Sequence, residues 1–282
     1  MIRTGLIGYP LTNSLSPKLH EAAFAALSLH GECLLYPVAP TESGGLARMT
    51  SRIRDGEILG LNVTIPHKQT IMALLDELTP SAQAIGAVNT IYMQGGKLVG
   101  HNTDAPGFHT DLTRFLANSI SEKKALVIGA GGAARAVVYA LLKNGWKVTL
   151  AIRRSSVRTA SALIASFELD IRDCSMDYVL LEAEEIGRLG NGIRLIVNAT
   201  PIGMFPKVDS SPWPDHLPFP DRAAVYDLVY HPRQTLLVRE AQSAGLQAST
   251  GLGMLVEQAA LSFACWTGQY VPREVMFAAV EG

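Results

Sequence analysis

An α/β fold is predicted by three features of this 282-residue chain. Short β-rich runs alternate with helical segments from one end to the other. One glycine-rich turn follows a buried run and opens an amphipathic helix. No internal repeat or low-complexity stretch interrupts the alternation. With 48% apolar residues the chain can bury a large core, and its length suits two domains.

The first series of β-rich runs reads "TGLIG", "LLYPVAP", "LGLNVTI" and "AVNTIYM". Between the first two lies "SPKLHEAAFAALSLHG", a helix with Ser16 as N-cap, Pro17 in its first turn and Gly31 beyond its end. In "LGLNVTI" the apolar Leu61, Val63 and Ile65 alternate with Asn62 and Thr64, the period of a strand with one polar face. Pro66 then stops the ladder and Lys68 follows at once. The segment "HNTDAPGFHTDL", residues 101 to 112, has a polar start and a Pro106-Gly107 pair, which suggests a crossing between domains. The expected division is residues 1–105 plus 246–282 for one domain and 106–245 for the other. The second series starts at "KKALVIGAGGAARAVVYALLKNGWKVTLAIRR".

Charge and cysteine content exclude several classes. The chain has 24 basic and 25 acidic residues, so it lacks the field needed to grip nucleic acid or an anionic membrane, and its partner is expected to be a small molecule. Cys33, Cys174 and Cys265 are widely spaced and form no CxxC pair, which argues against a disulfide frame or a zinc site. "MIRTGLIGYP" lacks the apolar core of a signal peptide, and no uninterrupted apolar stretch approaches membrane length. A cytoplasmic location is the expectation.

The glycine turn carries the clearest chemistry. Gly129 permits the tight turn after the strand, Gly131 lets the backbone approach a pyrophosphate, and Ala134 takes the small position where helix meets strand. The helix amino terminus then offers unpaired N–H groups and partial positive charge to phosphates; the alternative is a merely close-packed turn. About twenty residues on, where an NAD-binding fold usually carries an acid for the ribose hydroxyl, the chain instead reads Arg153, Arg154, Ser155, Ser156, Val157, Arg158. Guanidinium forks suit a 2'-phosphate, so NADP is favoured over NAD. A solvated basic turn is the competing reading.

Other polar positions are individually ambiguous. Ser14 and Ser16 precede a helix and could hold a carboxylate, or Ser16 could simply cap. Asn89 could be a strand-edge amide, Asp104 a turn former, Tyr230 a half-buried phenol and Gln258 a helix-surface residue. Lys68 could be a solvated surface lysine. His67 is expected to face away from Lys68, since neighbours in an extended segment point to opposite faces. His20 and His109 show no carboxylate partner, and no ligand spacing suggests a metal.

Together, in order, "SLSPKLH", "NVTIPHK", "AVNT", "NTDAPGF", "GAGGAARA", "NATPIGM", "YDLVY" and "GLGMLVEQA" make the chain resemble the shikimate dehydrogenase family over nearly its whole length. The resemblance implies an amino-terminal α/β substrate domain, a Rossmann-type dinucleotide-binding domain and a carboxyl-terminal helix packing back on the first domain. It implies reversible NADP-linked interconversion of shikimate and 3-dehydroshikimate. By that resemblance Ser14, Ser16 and Tyr230 hold the substrate carboxylate, and Thr64, Lys68, Asn89, Asp104 and Gln258 surround the ring hydroxyls. Gly129, Ala130, Gly131, Gly132 and Ala133 take the pyrophosphate, Thr200 joins the cofactor set, and Leu228 and Gly251 approach the nicotinamide. A homodimer is compatible with this reading.

In such a reaction the alcohol oxygen loses its proton as the hydride leaves carbon, and Lys68, held by Asp104, can take that proton or stabilise the charge. Departures from the family pattern fall at the cofactor turn. Ile152 stands in an asparagine place, Arg154 in a hydroxyl place, and Arg158 comes about one residue late. Two alternatives stay open: a quinate/shikimate dehydrogenase of broad specificity using NAD, and a non-catalytic NADP-binding relative.

Overall fold

The computed structural model describes residues 1–117, 122–170 and 175–281; Cys174 lies outside the described residues. The chain forms two compact units, Met1–Gly107 with Val256–Gly282, and Phe108–Leu255. The second unit therefore keeps its chain ten residues further than residue 245, the expected end.

The first unit contains β1 (Ile2–Gly8), α1 (Ser16–Ala26), β2 (Gly31–Pro37), α2 (Gly45–Arg54), β3 (Gly60–Val63), β4 (Glu77–Leu78), α3 (Pro80–Ile85), β5 (Thr90–Gln94) and β6 (Lys97–His101), and α4 (Asp104–Leu116) begins in it. Its sheet has the order β2-β1-β3-β5-β6-β4. β1, β2 and β3 are parallel, whereas β5 runs antiparallel to both β3 and β6. The local reason is a two-residue turn between β5 and β6. Gly95 and Gly96 have φ of 58° and 79°, the left-handed pair that joins tightly twisted antiparallel strands. Ile7, Leu61, Val63, Ile71, Val88 and Ile91 form the centre of this unit's core.

Several local expectations change. α1 starts at Ser16, with Leu15 at the cap position, and it is the Ser14 hydroxyl that accepts from the Ser16 N–H at 3.2 Å. The helix ends at Ala26, well short of Gly31, which opens β2. β3 stops at Val63, so Ile65 is outside the ladder and 42% exposed. Asn62 is 4% exposed, so the polar face of that strand is buried as well. "DAPG" is the first turn of α4 and not a loop, because Asn102 Oδ1 accepts from the Ala105 N–H at 3.1 Å. Pro106 sits where a helix N–H has no internal partner, so its missing donor costs nothing.

The second unit contains the rest of α4, β7 (Lys124–Ile128), α5 (Gly132–Lys143), β8 (Lys147–Ile152), α6 (Val157–Asp170), β9 (Met176–Leu180), α7 (Ala183–Gly187), β10 (Leu195–Asn198), β11 (Ala224–Asp227), α8 (Leu236–Ser243) and β12 (Ala248–Thr250). Its sheet is wholly parallel in the order β12-β11-β10-β7-β8-β9, a doubly wound arrangement whose order reverses between β7 and β10. All four residues of β10 are buried, as a strand covered on both faces requires.

α9 (Leu252–Thr267) and α10 (Arg273–Glu281) complete the chain, and from Val256 onward they belong to the first unit. Phe263 packs edge-on against Phe24 of α1 at 5.0 Å, and Trp266 donates its ring N–H to the Ile91 carbonyl at 3.2 Å. Among the described residues no helix is long and apolar enough to cross a membrane.

Candidate active site

Four of the predicted residues meet in the first unit. After β3 the chain turns back, with the Thr64 N–H on the Ile7 carbonyl at 2.9 Å and the His67 N–H on the Thr64 carbonyl at 2.9 Å. The His67 ring is buried against the Val38 carbonyl at 2.7 Å, so it serves the scaffold. Lys68 is fixed through its own carbonyl, which accepts from the Val88 N–H at 2.8 Å. Its ammonium donates to Asp104 Oδ2 at 2.5 Å, with the two side chains 12% and 6% exposed. The solvated-lysine reading is thereby corrected.

Asp104 opens α4, and its other oxygen accepts from Asn89 Nδ2 at 2.8 Å. The Asn89 amide has a determined orientation. Its Oδ1 lies 2.7 Å from the Thr103 N–H, a group that can only donate, so the NH2 must face Asp104. Asn89 itself lies just before β5, and that same NH2 is 3.3 Å from Gln258 Oε1. Gln258, expected on a helix surface as one alternative, is only 9% exposed. Ser16 is buried, and Ser14 and Thr64 are half-buried. Tyr230 lies in the second unit, half-buried and three residues past the end of β11.

A second layer of polar side chains was not read from sequence. Asn62 Nδ2 donates to the Asn89 carbonyl at 3.0 Å and to Ser262 Oγ at 2.8 Å, which leaves Asn62 Oδ1 facing His20 Nε2 at 3.2 Å. His20 Nε2 must therefore carry the hydrogen. Nδ1 is buried without a partner, and burial lowers the His20 pKa to about 4, the Asn62 bond opposing. For His20 and Ser262 the available signal was a polar residue at a helix position whose neighbours in the pattern are apolar; Asn62 fell on the face expected to be polar and gave none.

In the second unit Gly129 leaves β7 with φ of 113°, and an added Cβ would stand 3.0 Å from the Thr200 methyl. Gly131 is exposed and an added Cβ there meets nothing within 4 Å, so open space lies before the α5 amino terminus. Ala130 and Ala134 are buried, whereas Gly132 and Ala133 are partly exposed. Thr200 donates to Asn198 Oδ1 through its N–H at 3.0 Å and its hydroxyl at 2.7 Å. Asn198 in turn donates to Asp227 Oδ1 at 2.8 Å, and the Leu228 N–H returns to the Asn198 carbonyl at 2.9 Å. At Gly251 an added Cβ would overlap the Leu228 carbonyl oxygen. The chain segments after β7, β10 and β11 are thus tied together at the strands' carboxyl ends, where a doubly wound sheet binds its ligand.

Arg153, Arg154 and Arg158 are all exposed at the end of β8 and the start of α6. Arg154 pairs with Glu182 at 3.1 Å, an acid arriving from just beyond β9. An exposed pair of this kind is worth about 0–1 kcal/mol, little enough for a phosphate to displace. The open turn, helix terminus and arginines fit a phosphorylated dinucleotide.

Fold and site together define a dinucleotide-dependent oxidoreductase. Comparison with known proteins makes this specific. A family model described as the shikimate dehydrogenase substrate-binding domain matches residues 6–91, and one described as the shikimate 5'-dehydrogenase C-terminal domain matches residues 251–281. The NADP(+) shikimate dehydrogenase of Salinibacter ruber is 40% identical over 98% of this chain and 95% of its own. Thermus thermophilus shikimate 5-dehydrogenase, solved with NADP(H) and shikimate, is 37% identical with a TM-score of 0.84, covering 100% of this chain and 99% of its own. A quinate dehydrogenase from Corynebacterium glutamicum, solved with NAD, is 30% identical with a TM-score of 0.86, covering 99% and 98%. The chain belongs to the shikimate dehydrogenase family.

Proposed function

We propose that this chain catalyses the reversible NADP-dependent reduction of 3-dehydroshikimate to shikimate, within the route that makes aromatic amino acids. The observation that carries the reading is the Lys68–Asp104 pair at 2.5 Å, flanked by Asn89 and Gln258. Bound NADP supplies the hydride acceptor or donor. Lys68 faces the reacting oxygen and either stabilises, as the ammonium, the negative charge that develops on it or, as the neutral amine, takes its proton. Asp104 holds the ammonium in place. Asn89, Gln258 and Thr64 read neighbouring ring hydroxyls, since amides and hydroxyls both donate and accept. Ser14 and Ser16, with Tyr230, hold the carboxylate. Gly129, Ala130, Gly131, Gly132, Ala133 and Thr200 line the phosphate side, Leu228 and Gly251 the nicotinamide side, and Arg153, Arg154 and Arg158 supply the 2'-phosphate contacts.

A net charge of −1 supports a small-molecule partner over nucleic acid or membrane. A cytoplasmic enzyme, with a homodimer as one admissible assembly, completes the reading. Steady-state assays with shikimate or quinate and NADP or NAD test it: shikimate with NADP should give the highest kcat/KM. Comparable turnover of quinate with NAD would establish the broad-specificity alternative, and no turnover with any pair would establish a non-catalytic relative. Lys68→Ala should lower kcat by about 10²–10⁴-fold while retaining shikimate binding, and unchanged turnover would refute the mechanism.

A further inference from the structure

Ser262 sits on α9 one turn after Gln258 and is 0% exposed. Apart from Gln258 its helix face is apolar, with Ala259, Phe263 and Trp266 buried beside it. Four polar groups nevertheless converge on this hydroxyl. Asn62 Nδ2 donates to it at 2.8 Å, and it donates to the Gln258 main-chain carbonyl at 2.9 Å. The Thr90 and Thr103 hydroxyls lie 2.7 and 3.0 Å away. The Thr90 hydroxyl also lies 3.0 Å from the Asn89 amide oxygen, and the Thr103 hydroxyl accepts from Asn89 Nδ2 at 2.8 Å while standing 3.2 Å from Oδ1. Beyond Asn89 the chain of bonds reaches Asp104 at 2.8 Å and Gln258 at 3.3 Å.

We propose that Ser262 is a positioning residue that sets the orientation of Asn89 toward the substrate hydroxyls without touching the substrate. A hydroxyl has one proton and two lone pairs, so three bonds at a time use its whole capacity and the four neighbours compete for them. Deleting it leaves Asn62 Nδ2 only the Thr90 hydroxyl at 3.3 Å in place of a 2.8 Å acceptor and removes a neighbour that Thr90 and Thr103 share. The Thr90 and Thr103 hydroxyls, 3.2 Å apart, each lose one of the neighbours that orient them; the Thr103 N–H still fixes which way the Asn89 amide faces, and what loosens is the tilt of its NH2 group, which donates to the Thr103 hydroxyl at 2.8 Å. Buried networks of this kind act as units, so the change spreads further than one bond.

This inference rests on the assignment of Asn89 to substrate binding, and the test separates the two. Shikimate and NADP dissociation constants, kcat, KM and melting temperature are measured for Ser262→Ala, Thr103→Val, Asn89→Ala and the Ser262→Ala/Asn89→Ala double variant. Ser262→Ala should weaken shikimate binding and raise KM about tenfold, as expected for one buried hydrogen bond lost. NADP affinity should not change. The double variant should bind shikimate no more weakly than Asn89→Ala alone, because the serine acts through the amide. Full additivity, or wild-type shikimate affinity in folded Ser262→Ala, overturns the proposal. Should Ser262→Ala not fold, Thr103→Val decides, since it removes a hydroxyl from the same relay at constant shape. If Asn89→Ala itself leaves shikimate affinity intact, the substrate-site assignment fails instead.

Discussion

Asp227 is fully buried at the end of β11, with three donors on its carboxylate: the Thr235 hydroxyl at 2.7 Å, the Asn198 amide at 2.8 Å and the Val229 N–H at 3.0 Å. Burial nevertheless wins, raising its pKa from the ordinary 3.8 to about 6 while those bonds pull the other way. The folded state thus holds the proton more tightly than the unfolded chain. Ionising the group costs stability that is intact below about pH 3.8 and lost as pH rises to about 6. Asp227→Asn should remove that loss. In urea unfolding from pH 4 to 7, the variant should gain on the wild type by up to about 1.4 kcal/mol per pH unit until pH 6, then run parallel. Parallel curves throughout would show that the carboxylate is not strained by burial. Sequence marked this residue only as part of "YDLVY". What makes it special is the convergence of β10, β11 and the segment before α8, which no local pattern announces.

Among the elements, the turn after β7 and the entry to α9 use glycine for opposite reasons. Gly131 faces open space, so Gly131→Ala should leave the melting temperature unchanged yet weaken NADP binding, because the methyl enters the volume in front of α5. Gly251 abuts the Leu228 backbone, so Gly251→Ala should destabilise by about 1–3 kcal/mol through overpacking. Thermal melts and NADP titration of the two variants read these effects separately; a stable Gly251→Ala with normal affinity would contradict the close approach. The glycine turn was legible because its residues are contiguous and each spacing has a steric meaning. The starts of α1 and α4 were less so. Ser14 rather than Ser16 supplies the accepting hydroxyl, and "DAPG" reads as a turn unless the Asn102 side chain is known to hold its first N–H.

For the molecule as a whole, the alternation of strands and helices predicted the doubly wound sheet, since parallel strands require helical crossovers. It did not predict the antiparallel β5 and β6 in the first sheet, which depend on a two-glycine turn. Nor could it place Glu182 on Arg154, since 28 residues separate them in sequence. On the proposed function, a 2'-phosphate would compete with the Glu182 carboxylate for Arg154. In thermal shift, NADP at a hundred times its Kd should stabilise the fold by about 2.7 kcal/mol, and NAD at the same concentration by less. An equal or larger shift with NAD would favour the broad-specificity enzyme.

The Gly95–Gly96 tip has a practical corollary. Neither glycine has any atom within 4 Å of an added Cβ, and the ladder it closes runs back from Gln94–Lys97 to Thr90–His101, where Thr90 belongs to the polar relay. A short reporter peptide spliced into that tip would project outward at the far end of the hairpin, giving a tethering handle for surface-based measurements.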